Sequence, residues 1–350
     1  MTKGERAFLS HHIGELFNPK AIDFFSESLA HYRSLFAPDV GAVACDLHPD
    51  YTSSRLAAEL SAPHLIKVQH HHAHIAATLG EYGLSGPVIG VAYDGTGLGD
   101  DGTLWGGEIL IADRRGYRRF AHLKPFPLPG GDLAVLRPYR TAYGLLRTNQ
   151  ATGSTGGALE RSIASIPEGE RAAMDFQIAQ GINAPLCSSI GRLFDAAAVI
   201  CGFTGECSYD AEAAIWLETQ AGPWRMADAQ PYVGAFIDNQ RRIDGGAILG
   251  ALAADLDDGT TCTAAARRFH ATIASLTRDL CLQARAETGL TEVCLGGGVF
   301  MNRRLLSQCV AELEESGFTV HIPAEAPLND GGLAYGQAVV ARARLASPGE

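Results

Sequence analysis

The sequence predicts an α/β fold. Strand-like apolar runs alternate with helix-like segments through residue 80, and the same order returns near the C-terminus, where a strand, three glycines and a helix follow one another. With 350 residues, 46% of them hydrophobic and 19% charged, the chain is long enough for two lobes sharing a cleft.

Taken in order, Ala21 to Phe36 places Ile22, Phe25, Leu29, Tyr32 and Phe36 at helical spacing, giving a packing helix ended by Pro38. Val40 to Leu47 reads as a strand and Ser53 to Leu60 as a helix. Pro63 to Gln69 is apolar and bounded by proline, which predicts a buried strand that runs into a helix through the cluster His70, His71, His72 and His74. Pro87 to Tyr93 is a second buried strand, Asp94 to Gly102 a glycine-rich turn, and Trp105 to Ala112 the return strand. Lys124 to Gly131 carries three prolines and reads as a surface connection. Asn149 to Glu170, rich in Gly, Ser and Thr, reads as a mobile loop. Helices are expected from Arg171 to Leu217 and from 261 to 289. Thr291 to Leu295 is then a strand ending in Gly296-Gly297-Gly298, Asn302 to Leu313 a helix, Phe318 to Ile322 a strand, and Asn329-Asp330-Gly331-Gly332 the start of the last helix.

Charge and composition exclude several classes. A net charge of −11 argues against a phosphate-neutralising surface, so no nucleic-acid partner is expected. The charged N-terminus is not a signal peptide and no apolar run reaches about 18 residues, so no membrane association is expected and a cytoplasmic location is. The eight cysteines include no Cys-x-x-Cys pair, and those in apolar runs, such as Cys201 and Cys294, read as small buried hydrophobes.

Chemistry concentrates between residues 68 and 108. His70 and His74 are four apart, which on a helix places both rings on one face at a separation that one metal ion can bridge. A single histidine is more often a satisfied core residue, and two alone do not make a site, so partners are sought where other strands end. One strand delivers Asp94 into Gly95-Thr96-Gly97, a glycine turn that leaves backbone N–H groups uncovered, and such groups suit phosphate oxygens. Asp330 opens the last helix, where a carboxylate is often only a cap. Gly191-Arg192-Leu193-Phe194-Asp195 on a helix, and the strand, glycines and helix N-terminus from Leu295 to Asn302, form candidate walls of a nucleotide cradle. Neither is a dinucleotide fingerprint or a P-loop.

These motifs in this order, His70-x-x-x-His74, Asp94-Gly-Thr-Gly, Gly191-Arg-Leu-Phe-Asp195, Leu295-Gly-Gly-Gly-Val-Phe-Met-Asn302 and Asn329-Asp330-Gly-Gly, together with Ala44 to Tyr51, resemble the C-terminal carbamoyltransferase domain of the HypF family of hydrogenase maturation proteins. That domain is similar to the threonylcarbamoyl-transferases of tRNA modification and to antibiotic O-carbamoyltransferases. The resemblance implies a two-lobed, actin-like ATPase fold around a nucleotide cleft. Residues 1–86 would form a first lobe with the metal motif and 87–350 a second lobe, the C-terminal helix returning to the first. It further implies a divalent metal (iron, zinc, magnesium or manganese) held by His70, His74, Asp94 and Asp330. ATP, AMP or carbamoyl-adenylate would be held by Gly95, Thr96, Gly97, Gly191, Asp195, Gly297, Gly298 and Asn302. The implied reaction transfers a carbamoyl group from carbamoyl-adenylate to the C-terminal cysteine thiolate of HypE. Its alternatives are a non-catalytic module that binds nucleotide or HypE, and a carbamoyltransferase acting on small-molecule hydroxyls.

Three departures accompany the resemblance. Complete HypF-like proteins place acylphosphatase, zinc-finger and adenylate-forming domains before this one, which are not recognised in this sequence, and the chain is read as starting after the domain's usual first strand. Arg137 also stands where the family pattern usually has Glu. A separate adenylate-forming domain, or full-length HypF, is therefore an expected partner.

Overall fold

A computed structural model describes residues 1–148, 157–225 and 229–346. The N-terminal part contains the short hairpin β1 (Thr2–Lys3) and β2 (Arg6–Ala7), helix α1 (Pro19–Phe36), and the unit β3 (Ala42–Asp46), α2 (Thr52–Glu59), β4 (His64–Val68) and α3 (His70–Glu81). Strands β3 and β4 pair in parallel and form their own two-stranded sheet, so their C-terminal ends deliver Asp46 and the start of α3 side by side. Strand β4 is mostly exposed rather than buried as expected. A two-stranded sheet has little cover to offer, and the last helix protects only part of it. Helix α1 likewise has no fully buried residue.

The remaining strands build one mixed sheet. Its path runs β10 (Arg242–Ile243), β7 (Tyr117–Leu123), β6 (Leu104–Ala112), β5 (Val88–Leu98), β11 (Glu292–Gly296) and β12 (Thr319–His321), with β8 (Phe126–Pro127) and β9 (Leu186–Cys187) paired at its side. Strands β5, β6 and β7 form an antiparallel meander, while β11 joins β5 in parallel. Parallel pairing of β11 needs a long return path, which the helices supply: α4 (Asp132–Leu136), α5 (Pro138–Thr148), α6 (Ala158–Ala164), α7 (Glu168–Gln180), α8 (Ile190–Ile200), α9 (Glu212–Ala221), α10 (Gly245–Asp257) and α11 (Cys262–Thr288). Helices α12 (Arg303–Glu315) and α13 (Leu333–Leu345) complete the chain. The main core joins Ile89, Val91 and Tyr93 of the sheet to Phe194 of α8 and Phe269 of α11, and α3 covers the opposite face through Ile75 and Leu79. No described helix is long and apolar enough to cross a membrane.

Several expectations are corrected. The glycine turn is shorter than Asp94 to Gly102: β5 continues to Leu98, and the chain reverses between Gly99 and Thr103, where Gly99 N–H donates to the Thr103 carbonyl. The passage Phe126 to Gly130 is buried because β8 pairs with β9, so it is core rather than surface connection. Residues 158–170 are mostly helical, in α6 and the start of α7, and residues 149–156 of the expected loop lie outside the described residues. Cys201, Cys207 and Cys262 are half-exposed, whereas the other five cysteines are buried. Arg137 is charge-balanced by Glu206, 2.7 Å away, and Glu170, 3.5 Å away.

Helix α13 packs along α3 and against β3 and β4, with Val340 meeting Val68, Ala73 and Ala76. The crossing is close at Gly336, where an added Cβ would stand 1.9 Å from the Ala73 carbonyl oxygen. Gly336→Ala is therefore expected to destabilise by about 1–3 kcal/mol through overpacking. Helix propensity alone would stabilise it by up to about 1 kcal/mol, so the sign of the change in a urea titration decides whether this crossing is as tight as described.

Candidate metal and nucleotide site

The site begins with the cap of α3. Gln69 precedes the helix in an extended conformation and its Oε1 accepts from His72 N–H at 2.8 Å, so the first turn starts at His70. That start places His70 and His74 one turn apart with ring centroids 5.1 Å from each other. Opposite them, the β5–β6 ladder loses register between Tyr93 and Gly97, and Asp94 sits at the start of this irregularity. Its Oδ2 lies 3.0 Å from His70 Nε2 and 3.1 Å from His74 Nε2. Asp330, on a short turn after Asn329, brings Oδ1 to 3.6 and 3.5 Å from the same two nitrogens. One donor atom from each of these four side chains falls within 4.8 Å of the others.

The surroundings give each donor a fixed direction. Gly95 N–H and Gly298 N–H both donate to Asp94 Oδ1, at 2.9 and 3.0 Å, which leaves Oδ2 turned to the imidazoles. Ser189 Oγ–H donates to the Asp94 carbonyl at 2.7 Å and fixes the backbone. Asp46 Oδ2 lies 2.9 Å from His70 Nδ1; a carboxylate only accepts, so the Nδ1 proton points to Asp46 and Nε2 faces the cluster. Asp46, at the end of β3, was not singled out from the sequence. The usable signal was its place at the C-terminal end of a strand parallel to the one that delivers His70. His71 and His72 point away, His71 Nδ1 accepting from Gln69 Nε2 and His72 Nε2 donating to the Asp113 carbonyl.

Two carboxylates and two imidazoles suit a divalent cation among iron, zinc, manganese and magnesium, and the donor set fits one. Electrostatics point the same way. Burial alone would push His70 down, but Asp330, Asp46 and Asp94 outweigh it and raise its pKa well above the usual histidine range. Asp94 would be raised by burial, yet His74 and His70 hold it well below the carboxylate range. Asp330 behaves alike, held down to about 2 by hydrogen bonds from both histidines. Without a cation, protons on the imidazoles balance the buried carboxylates.

The expected nucleotide residues line the same place in different ways. Gly97 allows His70 to approach, since a Cβ there would stand 2.8 Å from the ring, and Gly297, at φ +103, would place one 2.2 Å from the Tyr93 carbonyl. Gly297 N–H donates to the Leu328 carbonyl, so the amides of Gly95, Gly297 and Gly298, expected to be uncovered, are used within the protein. Gly95 and Thr96 are half-buried, and Gly95 has open space where a Cβ would stand. Gly191 packs against the Asp94 carbonyl and Gly95 Cα; one turn later Asp195 is buried and ion-paired with Arg192 at 3.0 Å. Burial lifts the Asp195 pKa to about 6 against the opposing pull of Arg192. Asn302 caps α12 through Leu305 N–H and contacts His270 Nε2 at 2.9 Å through its amide nitrogen.

Two predictions follow from this geometry. Asp46→Asn should weaken divalent-metal binding about 10–100-fold in calorimetric titration, because the amide no longer fixes the Nδ1 proton of His70. In metal-free protein the raised pKa of His70 means that its contribution to stability is full below about pH 6.5 and is lost as pH rises through the folded value. Asp94 and Asp330 contribute above about pH 4 and lose that contribution as pH falls. The stability difference between wild type and His70→Gln, measured by thermal melts without metal, should therefore shrink toward alkaline pH. A difference that grows there would contradict the charge pattern.

Family models match almost the whole chain: "HypF Kae1-like domain" over residues 1–81 and "Carbamoyltransferase, Kae1-like Domain, second subdomain" over residues 90–337. The chain is 37% identical to Carbamoyltransferase HypF2 of Cupriavidus necator, the match covering 98% of this chain and 45% of that protein. It is 39% identical to the Carbamoyltransferase HypF homolog of the same organism, over 97% of this chain and 88% of the relative. Among solved structures, full-length HypF in the phosphate- and nucleotide-bound form superposes with a TM-score of 0.90 at 39% identity, over 97% of this chain and 52% of that one. HypF of T. kodakarensis gives 0.83 at 29% identity, over 96% and 45%. The chain thus spans about half the length of most of these relatives and shares their actin-like α/β architecture. It belongs to the HypF carbamoyltransferase family, of which it comprises the Kae1-like domain.

Proposed function

We propose that this domain transfers a carbamoyl group from carbamoyl-adenylate to the C-terminal cysteine thiolate of HypE, a step toward the cyanide ligand of nickel–iron hydrogenase. The observation that carries this reading is the four-side-chain cluster within 4.8 Å, three members buried and the fourth, Asp330, 66% exposed toward solvent. A closed structural metal site would bury every donor, whereas an exposed edge leaves room for a substrate oxygen. When bound, a divalent ion would supply positive charge to phosphate oxygens as charge develops on the departing AMP. His70, His74, Asp94 and Asp330 would hold it.

Gly95, Thr96, Gly97, Gly191, Asp195, Gly297, Gly298 and Asn302 form the proposed nucleotide wall, with Gly191 and Gly97 there for close approach. The thiolate sulfur attacks the carbamoyl carbon, the bond from that carbon to the phosphate oxygen breaks, and AMP leaves with the electron pair. The acceptor brings its own thiol: Cys187 of β9 and Cys294 of β11, on the strands that lead to Ser189 and Gly298 beside Asp94, are buried, and burial pushes both thiols up to about 12, far from a reactive thiolate. Carbamoyl-adenylate comes from a separate adenylate-forming domain, as in full-length HypF, and crosses an interface near the cleft.

Incubating the purified chain with HypE, ATP and carbamoyl phosphate, with and without an adenylate-forming domain, tests the division of labour. Carbamoylated HypE should form only with the added domain; equal rates without it would reject this part of the reading. With that domain present, His74→Ala or Asp330→Ala should lower the rate roughly a hundredfold, the loss of one electrostatic contact. Carbamoyl transfer to an aminoglycoside hydroxyl instead of a peptide ending in cysteine would reassign the acceptor. Tight AMP binding without any transfer would mark a non-catalytic module.

A further inference from the structure

Helix α3 supplies both histidines of the cluster in its first two turns and ends at Glu81, a carboxylate that no proposed step uses. The chain after β12 runs back to this end of the helix as Pro323-Ala324-Glu325-Ala326-Pro327 before turning into Asp330. Prolines carry no N–H, so only three of these five residues have one to give. Glu81 takes all three: its Oε1 accepts from Ala324 N–H at 2.7 Å and Glu325 N–H at 3.0 Å, and its Oε2 from Ala326 N–H at 3.1 Å. Three converging amides make a small concavity suited to an anion, and hydrogen bonds to a charged acceptor are roughly twice as strong as neutral ones. Burial alone would raise the Glu81 pKa, yet these amides hold it below the usual carboxylate range. Two neutral contacts hold the same segment: Tyr82 Oη donates to the Ile322 carbonyl at 2.8 Å and Gly297 N–H to the Leu328 carbonyl at 3.1 Å.

We propose that Glu81 is a positioning residue for Asp330: by fixing residues 324–326 against the end of α3 it sets where Asp330 stands relative to His70 and His74, and so tightens the metal site. The inference rests on the metal-binding reading of the cluster. One helix then carries two ligands directly and places a third through its last residue. The distances agree with this. At 1.5 Å per residue, His74 lies about 10 Å along the axis from Glu81, and the four residues from Ala326 to Asp330 span at most about 14 Å when extended. With Ala326 anchored, Asp330 therefore has little spare chain on which to move away. Its carboxylate, 66% exposed and 3.5 to 3.6 Å from the imidazoles, is the least enclosed of the four donors, and a ligand on an exposed turn gains most from an anchor outside the site. Ordering that turn before the cation arrives lowers the conformational entropy lost on binding, which raises affinity without a new contact to the ion. Asp46 orients His70 at one side of the cluster, and Glu81 does the equivalent for Asp330 at the other.

The test titrates manganese(II) into the folded, metal-free chain by calorimetry and follows backbone hydrogen exchange of residues 322–332 without metal. Glu81→Ala should weaken manganese binding about 10–100-fold and speed exchange in that segment, with α3 still protected. Glu81→Gln keeps an oxygen for two of the amides and turns a donor toward the third, so its loss should lie between wild type and Glu81→Ala. In an Asp330→Ala background, Glu81→Ala should cost about twofold or less, because the ligand it positions is already gone. Loss of the same size in both backgrounds would overturn the proposal, since Glu81 would then act on the fold and not through Asp330. Wild-type affinity in both Glu81 variants would overturn it as well. If the wild-type chain binds no manganese, the metal reading fails and this inference with it, a result distinct from binding that Glu81 leaves unchanged.

Discussion

The carboxylate of Asp94 is the constraint on which the rest depends. Its Oδ1 takes two backbone amides from segments far apart in sequence, Gly95 and Gly298, and its Oδ2 faces two imidazoles from a third, α3. A buried carboxylate left without partners would be strongly destabilising, so the fold must bring β5, β11 and α3 together at one point. The glycines are where that demand shows. A side chain at Gly97 would collide with His70, and one at Gly191, Gly296 or Gly298 would crowd the Asp94 backbone, His74 or the Asp94 carboxylate. They bring the chain close enough to hold one acid.

Because that acid is held from the protein side by neutral donors, its negative charge is not cancelled but directed. Asp46 repeats the arrangement on the other side of His70, accepting at Nδ1 what Asp94 faces at Nε2. Three carboxylates, Asp46, Asp94 and Asp330, thus surround two histidines. In metal-free protein the upward shift of His70 and the downward shift of Asp94 record that surplus. A divalent cation among the four donor atoms, which lie within 4.8 Å of one another, would relieve it without protons.

Much of this was legible in sequence where period and spacing act locally. The His70–His74 spacing, the helix from 262 and the strand into Gly296 depend on neighbours a few residues away, and the elements form at those places. Failures occurred where the deciding partner is distant. Strand β4 looks apolar but is exposed, since cover depends on which helix packs there. Phe126 to Gly130 reads as a linker from its prolines, and becomes core only because β9, some 60 residues on, pairs with it. Asp46 is an ordinary Asp in the sequence; its role exists only once β3 and β4 are parallel. The half-exposed Cys201 reads as a buried hydrophobe because its apolar run gives no sign of a cavity at the end of α8.

The use of the glycine amides also determines how the proposed nucleotide would meet the site. A phosphate bound by a cradle of backbone N–H groups needs those groups free, and the amides of Gly95, Gly297 and Gly298 are already donated to Asp94 and the Leu328 carbonyl. Attraction for phosphate therefore has to come through charge instead of direct amide contact. A divalent cation held by the cluster would supply that charge, on the side where the cluster is least covered, at Asp330, whose side chain is 66% exposed while its partners are buried. The glycines shape the wall, Asp94 fixes the donors, and the open edge at Asp330 is where an anionic substrate oxygen has room to join them.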